Sequence, residues 1–397
     1  MLSVAVFLHC ARRVVRASEG PVRVFVTDAR LERFPVYAAA VRARQAVSPT
    51  IWLVVGDPFA DNSLTSLSDG AAQVALLNRS GVDAIVLTPE WLSFGLPRLN
   101  DMVSKGRYYS LSASLLDEVG QTIGHPFMVK KSGSAVLALT GLALDSANVL
   151  TRLAGVRYAA SGLALGKATT LMRQRADLVG VMVEPRSTGS VWGTDFTVNV
   201  SPSGEFAMTP SGDTGRINCY DVSADASRLT ARTADIERLK PDSSVARLLD
   251  SLRTAADSLG ARSIPPPRSP YDAVSLSSAL VQGVLAAKLA DGFLCDSLFN
   301  MDFREPKDVG TLVTILRDPG RLALLSVQGD KLAAWPEELV LRPGLSRSKL
   351  SRSLTYRIAT TVDYLQRHPQ MAKAGFELTS RPFWTICLDI LESGRVK

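Results

Sequence analysis

Three carboxylates stand where apolar runs end. Residues 22–27 (VRVFVT) lead to Asp28, residues 52–55 (WLVV) lead through Gly56 to Asp57, and residues 84–87 lead into the loop 88–93, which carries Glu90 and Ser93. Short apolar runs rich in β-branched residues read as buried strands, and open α/β sheets bind ligands beyond the carboxyl ends of their strands. Asp57 and the loop 88–93 should therefore meet. Asp28, Asp57 and Glu90 suit one hard cation, Mg2+ or Ca2+, since magnesium often binds through one or two carboxylates plus waters and substrate phosphate. Arg30 supplies the opposing reading. A guanidinium stays charged and pairs well with carboxylates, so a cluster of Asp28, Arg30 and Asp57 takes the place of a metal ion. We weight this second arrangement more heavily. It predicts that Asp57→Ala lowers the melting temperature, because the change strips a partner from a partly buried charge.

The intervening chain has to bring these residues together. Ala71, Val74, Ala75 and Leu77 fall at helical spacing, and Asn78 with Gly81 closes that helix before the next apolar run, so 52–87 reads as a βαβ unit. A second helix is expected over 34–47. Further on, 235–260 reads as helical with an apolar face of Val245, Leu248, Leu249, Leu252, Ala255, Ala256 and Leu259, and Pro265, Pro266 and Pro267 follow as a linker. A protease-sensitive joint near 263–269 is the consequence.

A chain of 397 residues exceeds the usual single core, so about two domains are expected. Hydrophobic residues at 46% with charged residues at 21% argue against disorder. The net charge of +7 is scattered among neighbouring acids, and its densest stretch, 342–357, is Ser-rich without interleaved aromatics. Nucleic acid is therefore not an expected partner. No apolar run is long enough for a membrane span. The four cysteines lack C-x-x-C spacing, which leaves free thiols rather than a zinc ribbon or a disulfide framework. The N-terminus places apolar residues 2–8 before Arg12, Arg13 and Arg16, the reverse of a signal peptide.

The register of Gly56-Asp57, Gly70, Asn78, Gly81, Asp83-Ala84 and Gly95, together with Tyr356 to Leu365 (YRIATTVDYL), resembles the 5'-nucleotidase and UDP-sugar hydrolase family. The resemblance runs from about residue 22 to 390. It implies an α/β chain: a calcineurin-like αββα sandwich over 20–234, a linker helix and Pro-rich joint over 235–268, and a smaller α/β 5'-nucleotidase C-terminal-like domain over 269–397. It also implies export to the periplasm, metal-dependent hydrolysis of nucleotides and a bound metal pair.

The functional letters of that family are replaced. Its G-N-H-E-F-D reads Thr88, Pro89, Glu90, Trp91, Leu92, Ser93, so the catalytic positions hold Glu90 and Ser93. Its D-x-H reads Asp28, Ala29, Arg30. Its two later histidine loops read Glu184-Pro185-Arg186 and 199–203 (NVSPS), and none of His9, His125 and His368 falls at a ligand position. In the second domain only Asn300, Arg304 and Tyr364 remain as candidates for substrate contact, with Arg186 beside them for an anionic small molecule. Asp318-Pro319-Gly320 supplies no stacking ring. Trp91 and Phe94 should fill the emptied loop as core. The expectation is a catalytically degenerate protein without a cofactor, in a binding or interaction role with an anionic small molecule or an unknown protein partner. The alternative is a nucleotidase retaining a single divalent metal.

Overall fold

The computed structural model describes residues 21–59, 63–132, 135–143, 148–184, 194–199, 207–209, 216–223, 228–236, 238–265, 272–300, 303–332, 334–336, 338–373 and 375–393. The chain opens with β1 (Val22–Asp28), α1 (Phe34–Gln45), β2 (Thr50–Val55), α2 (Ser63–Ser68), α3 (Ala71–Ser80), β3 (Ala84–Val86), α4 (Leu96–Lys105) and β4 (Tyr109–Leu111). β1 to β4 lie side by side in parallel, and Arg216–Val222 and Leu229–Asp235 extend the sheet antiparallel beyond β1. A second sheet is ordered Ala207–Met208, Phe196–Asn199, Leu178–Glu184, Ala135–Ala143, Met128–Ser132.

Strand alternation explains why the two sheets stack. Val22, Val24 and Val26 of β1, with Ile51, Leu53 and Val55 of β2, point at Leu137, Leu139 and Met182 of the second sheet. The opposite faces are apolar too. Phe25, Trp52, Val54 and Ile85 turn outward beneath Phe34, Tyr37, Leu76 and Leu77, while Ala138 and Val179 pack beneath Ala164, Ala168 and Met172 of the helix Ser161–Arg173. The result is the expected αββα sandwich, with strands buried on both faces. Gly81 closes α3 at φ +85°, the left-handed position that a glycine cap favours.

The third sheet, Leu339–Leu341, Gly292–Leu294, Thr355–Thr360, Ala323–Gln328 and Glu377–Leu378, belongs to the smaller C-terminal α/β domain. Its helix Ala273–Ala286 starts with a capping box built on Asp272 and Ser275. The helix expected over 235–260 begins only at Ser243. Leu229–Asp235 is committed to the sheet edge, and the Asp242 side chain then accepts from the backbone N–H groups of Ser244 and Val245. Pro266 and Pro267 lie outside the described residues.

The domains share packing. One apolar cluster runs from Trp91 and Leu150 of the sandwich to Tyr364 and Phe376 of the C-terminal domain. Across the boundary Ala154 N–H donates to the Phe376 carbonyl at 2.7 Å, and the Trp384 indole donates to the Ser66 carbonyl at 3.1 Å. Among the described residues no helix is long and apolar enough to cross a membrane.

Candidate ligand site between the domains

In the parallel register of β1 and β2, Asp28 pairs with Val55, so the carboxylates of Asp28 and Asp57 emerge from the same end of the sheet. Gly56, at φ +99°, turns the chain before Asp57 in a conformation that glycine adopts without strain. The two carboxylates meet different surroundings. Asp28 accepts from the Arg30 guanidinium at 3.0 Å, from the Arg30 backbone N–H at 3.2 Å and from the Tyr37 hydroxyl at 3.0 Å. Burial, and then the Asp28 charge, push the Tyr37 hydroxyl up to about 12.

Asp57 receives the Phe59 backbone N–H at 2.9 Å. Burial pushes its carboxyl up to about 6, the Phe59 N–H opposes that shift, and the nearby Glu90 charge adds to it. The buried Trp91 indole N–H also favours the charged form, although it makes no hydrogen bond of good geometry. Arg30 is therefore not the neutraliser of both acids that its spacing suggested. Asp28, Arg30 and Asp57 line one cavity, but the described guanidinium bonds reach Asp28 and the charge that perturbs Asp57 is that of Glu90.

The loop after β3 is a 3-10 helix, Pro89–Phe94. Trp91 is fully buried and Phe94 nearly so, and Phe59 packs edge-on against them at centroid distances of 4.3 and 5.6 Å, so the rings form core as expected. Glu90 projects outward and accepts from the Asn148 side chain at 3.0 Å. Asp57 and this loop do meet. With Ser93 they line a cavity of about 350 Å3, whose other wall comes from the C-terminal domain at Arg317, Asp318, Val362, Asp363 and Gln366.

Acids dominate this cavity, and its cations are engaged. Arg321 pairs with both oxygens of Asp69, and Arg317 pairs with Asp363 at 3.2 Å. Asp318 accepts the Gly320 and Asp363 backbone N–H groups, each at 3.1 Å, and burial pushes its carboxyl up to about 6.

The three residues expected to touch substrate do not line this cavity. Asn300 is exposed and donates to the Thr314 carbonyl at 2.9 Å, which ties its segment to the end of the helix Val309–Ile315. Arg304 is exposed elsewhere. Tyr364 is buried against His368, ring to ring at 4.4 Å, because the apolar face of its short helix turns into the core. Arg186 lies outside the described residues. The residues that build the wall instead are Asp318 and Arg321 of one turn and Asp69 of another. The local signal for both was modest: an Asp-Pro-Gly and an Asp-Gly between apolar runs, which read simply as turns.

The described residues do not by themselves fit a two-metal hydrolytic centre. Such a centre needs a bridging carboxylate and several further oxygen or nitrogen ligands. Asp28 is committed to Arg30 and Tyr37, and Pro89 has no donor side chain. Among the described residues no group of three or more His, Cys, Asp or Glu is placed to hold a metal ion. Segments 185–193 and 200–206, outside the described residues, contain no histidine and one carboxylate, Glu205.

No family model matches the chain, and no curated protein matches it in sequence. Solved structures do match in fold. A protein of Staphylococcus aureus assigned as a 5'-nucleotidase, in complex with alpha-ketoglutarate, superposes with a TM-score of 0.57 at 13% identity, covering 93% of this chain and 96% of that one. A 5'-nucleotidase precursor of Thermus thermophilus gives 0.56 at 12%, covering 94% and 96%. The NAD nucleotidase of Haemophilus influenzae gives 0.54 at 10%, with the same coverage. At these identities the likeness establishes the fold.

Proposed function

We propose that this chain, built on the two-domain fold of the 5'-nucleotidases, does not hydrolyse phosphoesters and uses the cavity between its domains for binding. The observation that carries this reading is the fate of Asp28: both its oxygens are engaged by Arg30 and Tyr37. The first carboxylate of the strand-end cluster is thus neutralised by the chain itself, and Asp57 and Glu90 are left as two like charges with no third ligand among the described residues.

The cavity also argues about its occupant. Phosphate recognition calls for free guanidinium or backbone donors. Arg317 and Arg321 are both paired, whereas Asp57, Glu90 and Asp318 have no cationic partner among the described residues. A neutral or cationic small molecule, or a segment of a partner protein, suits this lining better than the anionic ligand that the sequence suggested. Periplasmic location rests on the family resemblance, and a topology reporter fused to the chain tests it.

The test of function is turnover. AMP, UDP-glucose and p-nitrophenyl phosphate, each supplied with Mn2+, Co2+, Zn2+ or Mg2+, should show no metal-dependent hydrolysis. Metal-dependent turnover that is abolished by Asp57→Ala would overturn the reading and make the protein a hydrolase with a reduced, single-metal site.

A further inference from the structure

The C-terminal domain carries a cavity of its own, of about 740 Å3, between the end of the helix Ala273–Ala286 and the helix Phe383–Glu392. Leu324, Ile386 and Ile390 line it and are buried, whereas Lys288, Arg357 and Arg381 line it and are exposed. The cavity thus has an apolar floor and a basic rim. All its lining residues belong to this domain, so it is separate from the cavity between the domains.

The rim is not neutral. Arg357 pairs with Glu377 at 3.1 Å and Arg381 with Asp389 at 2.7 Å, while Lys288 has no acidic partner among the described residues. Three cations against two carboxylates leave one positive charge uncompensated. Both ion pairs are exposed and therefore weak, so either guanidinium can turn to an incoming carboxylate at little loss.

The backbone at Lys288 is an independent observation. After the helix Ala273–Ala286 the Lys288 N–H donates to the Leu285 carbonyl at 3.1 Å, the Leu289 N–H donates to the Val284 carbonyl at 3.3 Å, and Lys288 itself takes φ +56°. Glycine is the usual residue at this left-handed cap, because a Cβ is strained there. A lysine in its place keeps the strain and sets an unpaired charge at the cavity mouth, and backbone strain of this kind gathers at ligand sites.

We propose that this cavity binds a fatty acid, with its carboxylate at Lys288 and its hydrocarbon chain along Leu324, Ile386 and Ile390. One spare positive charge matches one carboxylate, whereas a phosphate monoester carries about two negative charges. The apolar floor supplies the affinity for the chain. This site goes beyond the binding role proposed above and does not rest on it.

Calorimetric titration of the full chain with decanoate, kept below its micelle-forming concentration, tests the site. Saturable one-to-one binding is expected. Lys288→Gly should weaken it roughly tenfold, the usual loss for one charge-assisted hydrogen bond, and glycine suits the backbone at that position. Decanol, with the chain and no charge, should bind the wild type more weakly than decanoate, and acetate, with the charge and no chain, should bind far more weakly still. Absence of saturable decanoate binding, or equal affinity in Lys288→Gly, would overturn the proposal. So would decanol or acetate binding as tightly as decanoate, or decyl phosphate binding more tightly. Should the variant fail to fold, the comparison of these four probes on the wild type decides.

Discussion

Arg321 and Asp69, 252 residues apart in sequence, form a bidentate ion pair across the domain boundary at 2.8 and 3.0 Å. Arg321 is 6% exposed, and Asp69 sits at φ +50°, a left-handed conformation that aspartate tolerates better than most residues. Arg98 holds the Asp69 carbonyl at 2.7 and 2.9 Å and lies 3.3 Å from its carboxylate, so a second guanidinium also orients Asp69. Preorganised pairs of this kind gain more from the fork of a guanidinium than from a point charge.

Removing one member of the pair should therefore cost stability. Arg321→Ala is expected to lower the unfolding free energy by about 2 to 3 kcal/mol in urea titrations, below the range for a fully buried pair because Asp69 is partly solvated and retains Arg98. Arg321→Lys should recover only part of the loss, since a lysine cannot engage both oxygens. A full recovery by lysine would show that charge alone, and not the fork, holds the boundary.

Asp57 gives a prediction with a sign opposite to the sequence expectation. Its carboxyl is raised to about 6 by burial and by Glu90. A group whose folded pKa is raised binds more protons in the folded than in the unfolded state between about pH 4 and pH 6, so stability falls as pH rises through that window. Asp57→Asn keeps the acceptor for the Phe59 N–H and removes the charge. It should stabilise the protein by ~1 to 2 kcal/mol at about pH 8, after allowance for partial solvation, and leave it unchanged near pH 4. Thermal melts across that pH range check it, and destabilisation at pH 8 would restore Arg30 as the partner of Asp57.

The shared packing at the boundary changes what a cut near the proline-rich segment should do. A protease nick within 263–269 is expected to leave both fragments together on size exclusion in native buffer, because Arg321, Trp384 and Phe376 hold contacts that do not pass through the joint. The fragments should separate in denaturant. Separation in native buffer would show that the linker, and not the interface, keeps the domains together.

Much of the architecture was legible because it is local. The apolar runs before Asp28 and Asp57 and the glycine that caps α3 carry their structure in short-range pattern. The meeting of Asp57 with Glu90 followed from strand polarity alone. What escaped was pairing at long range. Whether Arg30 serves one acid or two depends on the position of Tyr37 and the loop after β3. The pairing of Arg321 with Asp69 depends on how two domains dock. Asn300, Arg304 and Tyr364 were chosen by family register, and that register says nothing of which side chain faces a cavity once its glycines and stacking rings are gone. The edge strand Leu229–Asp235 was missed because its largely exposed residues carry no apolar period.

The central claim is that the strand-end carboxylates no longer assemble a metal centre, and direct titration with Mn2+ tests it. The paramagnetic resonance signal of the free ion reports binding without reference to any substrate. The account predicts that adding the protein leaves the free-ion signal undiminished near neutral pH and that Mn2+ does not raise the melting temperature. Stoichiometric loss of the free-ion signal that disappears in Asp57→Ala, together with a metal-dependent rise in melting temperature, would contradict it.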